Sequence, residues 1–126
     1  MSISILICDD SSFARKQVLK ALPSDWQTNV FQATNGSEAV QMIPEKNIEL
    51  LFLDLTMPIM DGYEVLDHLK KTDTNCFVIV ISGDIQPDAV ERVKKLGAIG
   101  FIKKPVNKEE IETLLVEFGL LVRQPL

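Results

Sequence analysis

Four apolar runs in this chain lead into groups that could do chemistry. "ISILIC" (3–8) runs into Asp9 and Asp10, "IELLFLD" (48–54) ends in Asp54, and "CFVIVIS" (76–82) ends in Ser82. The shorter run "AIGFI" (98–102) is followed, across Lys103, by Lys104-Pro105. Three carboxylates, a hydroxyl and an ammonium therefore share one kind of position, just past the carboxyl end of a predicted strand. Adjacent acids at the tip of a buried strand are unfavourable, because like charges resist double ionisation and burial adds to the cost. A hard divalent cation offsets that cost. Mg²⁺ prefers oxygen ligands in octahedral geometry and keeps several waters, which suits Asp9, Asp10 and Asp54 as a ligand set. One reaction uses all of these parts. Asp54 is the candidate carboxylate nucleophile, forming an aspartyl phosphate. Mg²⁺, the Lys104 ammonium, and the Ser82 hydroxyl with nearby backbone N–H groups would each take one phosphoryl oxygen.

Such chemistry needs elements that bring distant residues to one edge. The chain alternates strand and helix patterns five times. After the first strand, Ser11 or Ser12 can cap a helix over 12–22, with Ala14, Val18, Ala21 and Leu22 on one face and Pro23 as its stop. "TNVFQAT" (28–34) is a more polar strand. Asn35-Gly36 marks a turn, and a short helix over 37–43 is expected to end at Pro44. After the third strand, 56–62 reads as a loop and 63–71 as a helix. Pro87 fits the first turn of a helix running to about Leu96, with Gly97 at its C-terminal cap. Asn107 and Glu110 resemble a capping box, and Ile111, Leu114, Leu115 and Phe118 form the apolar stripe of a last helix.

Runs that are apolar at consecutive positions imply strands covered on both faces, hence parallel strands with crossover helices. The expected architecture is a five-stranded parallel sheet, doubly wound, a flavodoxin-like (βα)5 arrangement. In the order 2-1-3-4-5, the polar second strand and short fifth strand form the edges. The crevice then lies at the carboxyl ends of strands one and three, beside Asp9, Asp10 and Asp54.

The chain's 126 residues suit one domain, read as 1–120 with 121–126 as a tail or the start of a linker. With 13 basic and 18 acidic residues the net charge is −5, which argues against a nucleic-acid-binding face. No apolar stretch approaches the ~20 residues of a membrane span, and "MSISILICDD" lacks a signal peptide's basic start and cleavage site. A cytoplasmic location is expected. Cys8 and Cys76 lie in apolar runs and read as buried, unbridged thiols.

The segments "CDDSSFAR", "FLDLTMPIMDG", "VIVISGD" and "GFIKKP" resemble the four signature segments of the response-regulator receiver domain, the CheY-like family of two-component signalling. The resemblance runs from about Ser4 to Phe118. It implies that Asp9 and Asp10 bind Mg²⁺ and that Asp54 accepts a phosphoryl group from a histidine kinase or phosphotransfer protein. It implies that Thr56 lends its backbone carbonyl to the metal. Ser82 matches the family's switch hydroxyl, Lys104 its lysine, and Phe101 stands at its switch aromatic. Phosphorylation would draw Ser82 toward the phosphoryl group and let Phe101 turn inward. The surface of the fourth helix, fifth strand and fifth helix would then change, to regulate a partner or a fused output domain, or to drive dimerisation. Thr56 and Asp84 are expected to tune dephosphorylation.

Lys103 is read as a surface lysine, His68 as surface, Trp26 as packing, and Met57 and Met60 as support for their loop. The chain is expected to be a phosphoacceptor rather than an enzyme. The alternative is a Mg²⁺-dependent phosphohydrolase with an aspartyl nucleophile, but such hydrolases carry a second acid where this chain has Thr56. A flavodoxin-like FMN binder would want a Ser/Thr/Gly-rich phosphate loop where "DDSS" puts negative charge.

Overall fold

The apolar runs form strands, and the helices between them cover both faces. The computed structural model of the chain describes residues 2–83 and 86–122. The elements are β1 (Ile3–Cys8), α1 (Ser12–Ala21), β2 (Thr28–Ala33), α2 (Gly36–Glu45), β3 (Leu50–Leu53), α3 (Gly62–Lys71), β4 (Phe77–Ser82), α4 (Pro87–Lys95), β5 (Gly100–Lys103) and α5 (Lys108–Glu117). The strands form one sheet in the order β2-β1-β3-β4-β5, with every neighbouring pair parallel. Fold class and strand order match the sequence reading.

Side chains alternate between the two faces of a strand. Leu6, Leu51, Leu53, Val78 and Val80 pack on one face with Ala39, Ile43, Val65, Leu66 and Val93 from α2, α3 and α4. Ile5, Ile7, Phe52, Ile79 and Ile81 pack on the other with Val18 from α1 and Ile111 and Leu115 from α5. The central strands are therefore apolar on both faces over most of their length, and β3 is apolar at every position. At roughly 1.5–3 kcal/mol for each fully buried Leu, Ile or Phe side chain, these two layers dominate the stabilisation of the fold.

The caps follow local chemistry. Ser11, not Ser12, caps α1, its side chain accepting from the Ala14 N–H. Asp61 and Glu64 form a reciprocal capping box at α3, which starts one residue earlier than expected. Asn107 Oδ1 accepts from the N–H groups of both Glu109 and Glu110. Gly97, at φ 103, takes the left-handed position after α4.

Several boundaries and burials differ from the sequence reading. Helix α2 continues through Pro44 to Glu45, because a proline in the last turn removes only one N–H from the ladder. The turn of chain comes at Asn47, with φ 51, after which the Ile48 N–H donates to the Ile43 carbonyl. Strand β5 covers 100–103 rather than 98–102: Ala98 still bonds back to Val93 and completes the turn that follows α4. Phe118 is the C-cap of α5 and 40% exposed, so the last position of the expected stripe falls outside the core. Leu121, expected in the tail, packs against the α1–α5 layer. Cys8 and Cys76 are both free thiols, Cys8 buried and Cys76 half-buried.

Two glycines lock the loop between β3 and α3. The Gly36 N–H donates to the Met60 carbonyl, and the Gly62 N–H to the Leu55 carbonyl, both at 3.0 Å. A Cβ on Gly62 would collide with the Asp54 carbonyl oxygen and lie 2.8 Å from Leu55 Cα, both backbone atoms that cannot swing aside. One on Gly83 meets nothing within 4 Å. Gly62→Ala is expected to lower unfolding stability by about 2 kcal/mol in urea titrations, with Gly83→Ala close to unchanged. Equal effects of the two substitutions would contradict this packing.

Candidate functional site

The parallel sheet brings the ends of β1, β3, β4 and β5 to one edge. Asp9 follows β1 and is 5% exposed, Asp54 follows β3 and is 7% exposed, and Ser82 closes β4 at 3% exposed. Asp10 is exposed and lies at the mouth. Lys104 follows β5 and points back over the sheet edge. Its Nζ lies 2.8 Å from Asp9 Oδ2 and 3.1 Å from Asp54 Oδ1. Asp9, Asp10 and Asp54 each present a carboxylate oxygen within 4.8 Å of the others. The acids and lysine singled out in the sequence thus share one pocket, although Asp9 and Lys104 are 95 residues apart.

Backbone bonds fix these positions. The Asp54 N–H donates to the Cys8 carbonyl at 3.0 Å, and the Lys104 N–H to the Ser82 carbonyl at 2.9 Å. The Ser11 N–H donates to Asp9 Oδ1 at 2.9 Å. The Lys104–Pro105 peptide is cis. Behind Asp9, the Cys8 Sγ meets Met57 Sδ at 3.4 Å, so Met57 supports its loop from beneath.

The electrostatics of the pocket are unbalanced. Burial raises the Asp54 carboxyl above its ordinary value near 3.8, and the negative charge of Asp9 pushes it the same way. The hydrogen bond from Lys104 opposes both without cancelling them. Burial pulls the Lys104 ammonium down, but its hydrogen bonds to Asp9 and Asp54 outweigh that, and it is held above its ordinary value near 10.5. Cys8 is pushed up to about 12, first by burial and then by Asp9 and Asp54. A single ammonium cannot neutralise three acids. The remaining negative charge and the all-oxygen donor set fit a small, hard divalent cation such as Mg²⁺.

The other predicted residues take varied places. Thr56 is exposed at the loop after Asp54. Phe101 is half-buried, packs against the layer beneath α2, α3 and α4, and lines a cavity with Asn107, Glu110 and Leu114. Lys103 and His68 are exposed, and Trp26 packs against the α1–α5 layer. Asp84 lies outside the described residues. Two contributors were not singled out in the sequence. Gly62 has its signal in the neighbouring Asp61 cap. Arg15 donates to the Asp9 carbonyl, and its signal is a cation early in α1, where the helix dipole disfavours one.

Comparison with known proteins supplies the context. The family model for the response regulator receiver domain matches residues 5–116. The chemotaxis protein CheY of Halobacterium salinarum is 32% identical over 111 residues, which cover 88% of this chain and 92% of that protein. A protein-glutamate methylesterase/protein-glutamine glutaminase of Geobacter sulfurreducens is 35% identical over 124 residues, 96% of this chain but 33% of that longer protein. Among solved structures, the CheX-CheY-BeF3-Mg complex of Borrelia burgdorferi superposes with a TM-score of 0.84 at 31% identity, covering 94% of this chain and 90% of that one. By its fold, its acidic pocket and these likenesses, the chain belongs to the response regulator receiver domain family.

Proposed function

We propose that this receiver domain is a signalling switch phosphorylated on Asp54 by a histidine kinase or phosphotransfer protein. The observation that carries this reading is the Asp54 carboxylate itself. It is 7% exposed, at the centre of the sheet edge, with the Lys104 ammonium on one oxygen and two further acids within reach. In the transfer, an Asp54 oxygen forms a bond to phosphorus while the bond from phosphorus to the donor's imidazole nitrogen breaks. The Lys104 ammonium, now on Asp54 Oδ1, moves to a phosphoryl oxygen as charge shifts there. The Ser82 hydroxyl turns to another. Asp9, Asp10 and Asp54, with the Thr56 backbone carbonyl, would hold Mg²⁺. When bound, Mg²⁺ neutralises phosphoryl charge and orients the acceptor carboxylate.

The readout follows from packing. Ser82 leaves space when it turns, and Phe101, half-buried on the neighbouring strand opposite Val80, rotates inward. This changes the face formed by α4, β5 and α5, which acts on a downstream target, a fused output domain or a second copy. Thr56 and Asp84 tune the return to the unphosphorylated state. The unit that does this is residues 1–120, and the chain works as a phosphoacceptor with no external substrate turned over. The reading places it in the cytoplasm; among the described residues, no helix is long and apolar enough to cross a membrane.

Labelling with acetyl phosphate tests the acceptor. The chain is expected to gain one phosphoryl group only with Mg²⁺, in a hydroxylamine-labile bond. Asp54→Asn should abolish the label, and Lys104→Ala should slow it by about 100-fold. Undiminished labelling of Asp54→Asn would remove Asp54 from this role.

The unbalanced charge predicts a pH dependence of stability. The Asp54 carboxyl is raised in the fold, so ionising it costs stability. That cost is absent below the unfolded carboxylate range and complete above the raised value. In EDTA at about pH 8, Asp54→Asn is expected to be more stable than the unsubstituted chain by roughly 1 kcal/mol in urea unfolding. The gain should vanish near pH 3 and shrink when Mg²⁺ is added at pH 8. A variant less stable than the unsubstituted chain at pH 8 would show that the Lys104 pairing outweighs the crowding.

A further inference from the structure

Arg15 lies in α1 one helical turn beyond Ser11, half-buried. Its Nη1 donates to the carbonyl oxygen of Asp9 at 2.8 Å, and its Nε donates to Gln32 Oε1 at 2.8 Å. Gln32 sits on edge strand β2, opposite Ile7. The guanidinium therefore braces the first helix against the sheet and grips one peptide group between them. That peptide joins Asp9 to Asp10.

The rest of Asp9 is already fixed. Its N–H donates to the Ala33 carbonyl at 3.1 Å, its Oδ1 accepts from Ser11, and its Oδ2 accepts from Lys104. Asp10 begins at the far side of the gripped peptide and stands exposed at the mouth of the pocket. A peptide group is planar, so the direction of the Asp9 carbonyl sets where the Asp10 Cα starts. Arg15 can make this grip because a guanidinium offers several donors in a rigid fork, which a lysine does not.

Charge and geometry give Arg15 opposite signs. As a cation on the backbone of Asp9, it repels an incoming divalent ion. As a brace, it holds Asp10 where Asp10 can share that ion with Asp9 and Asp54. We infer that Arg15 is a positioning residue for divalent-cation binding, acting through the Asp9–Asp10 peptide, and that the brace outweighs the charge. This rests on the cation site proposed above.

Calorimetric titration with Mg²⁺ and Mn²⁺ decides it, alongside thermal unfolding in EDTA to establish that each variant is folded. Arg15→Ala is expected to bind both ions about tenfold more weakly, the low end of what removal of an outer-shell partner costs. Arg15→Lys keeps the charge and loses the fork, and should weaken binding by about as much. Gln32→Ala, which frees one arm of the fork at an exposed position, should weaken it by about threefold. The Mg²⁺ concentration for half-maximal labelling by acetyl phosphate should rise by the same factors, with the saturating rate little changed.

Unchanged or tighter binding by Arg15→Ala overturns the inference, since only the charge would then matter. So does full binding by Arg15→Lys. If Arg15→Ala is unfolded in EDTA, Arg15→Lys and Gln32→Ala remain, and binding by Arg15→Lys as tight as the unsubstituted chain still overturns it. Failure of the unsubstituted chain to bind either ion at millimolar concentration would instead remove the cation site itself, a separate result read from the same experiment.

Discussion

Three carboxylates gather at the carboxyl edge of the sheet, two of them on one ammonium, and the pocket is left short of positive charge. Asp9 and Asp54 are both nearly buried, so water cannot screen their repulsion. Lys104 bridges them and still leaves Asp54 harder to ionise than a free aspartate. The fold tolerates this because its two apolar layers supply stability elsewhere. Such local conflict is where a protein keeps its capacity to react, and an incoming cation or phosphoryl group with its counter-ion meets partners already in place.

The pocket depends on a rigid backbone frame. Cys8 accepts from Asp54, and Ser82 accepts from Lys104, so each reactive residue hangs from the strand beside it. Gly62 presses against the Asp54 carbonyl from the next helix, and Gly36 ties the same loop to α2. Ser82 closes β4, and Phe101 and Lys104 lie on and just past the neighbouring strand β5.

Much of this was legible in the sequence because burial on both faces leaves a strong mark. Leu50 to Leu53 and Val78 to Ile81 are apolar without interruption, and the parallel order then places Asp9, Asp54, Ser82 and Lys104 at one edge. What escaped reading depended on contacts across the chain. Pro44 reads as a stop, yet at the end of a helix its missing N–H costs little. Phe118 continued the helical period, but the helix ends before it is covered. Ala98 and Ile99 were read as strand, although Ala98 completes the turn after α4. Arg15 was visible only as a cation out of place, since its partners are a carbonyl and a side chain on another strand. Gly62 is marked in the sequence only by the Asp61 cap before it, which says nothing of its close approach to the Asp54 carbonyl.

The sulfur beneath the acids has a consequence of its own. Cys8 directly precedes Asp9, and its thiol is pushed up to about 12 by burial and by the acids in front of it. It stays protonated at neutral pH, so no fourth negative group joins the cluster. The nucleophilic form that oxidants and alkylating reagents attack is almost unpopulated. Burial first, and the negative charge of Asp9 and Asp54 second, therefore keep the thiol behind the carboxylates in its protonated form.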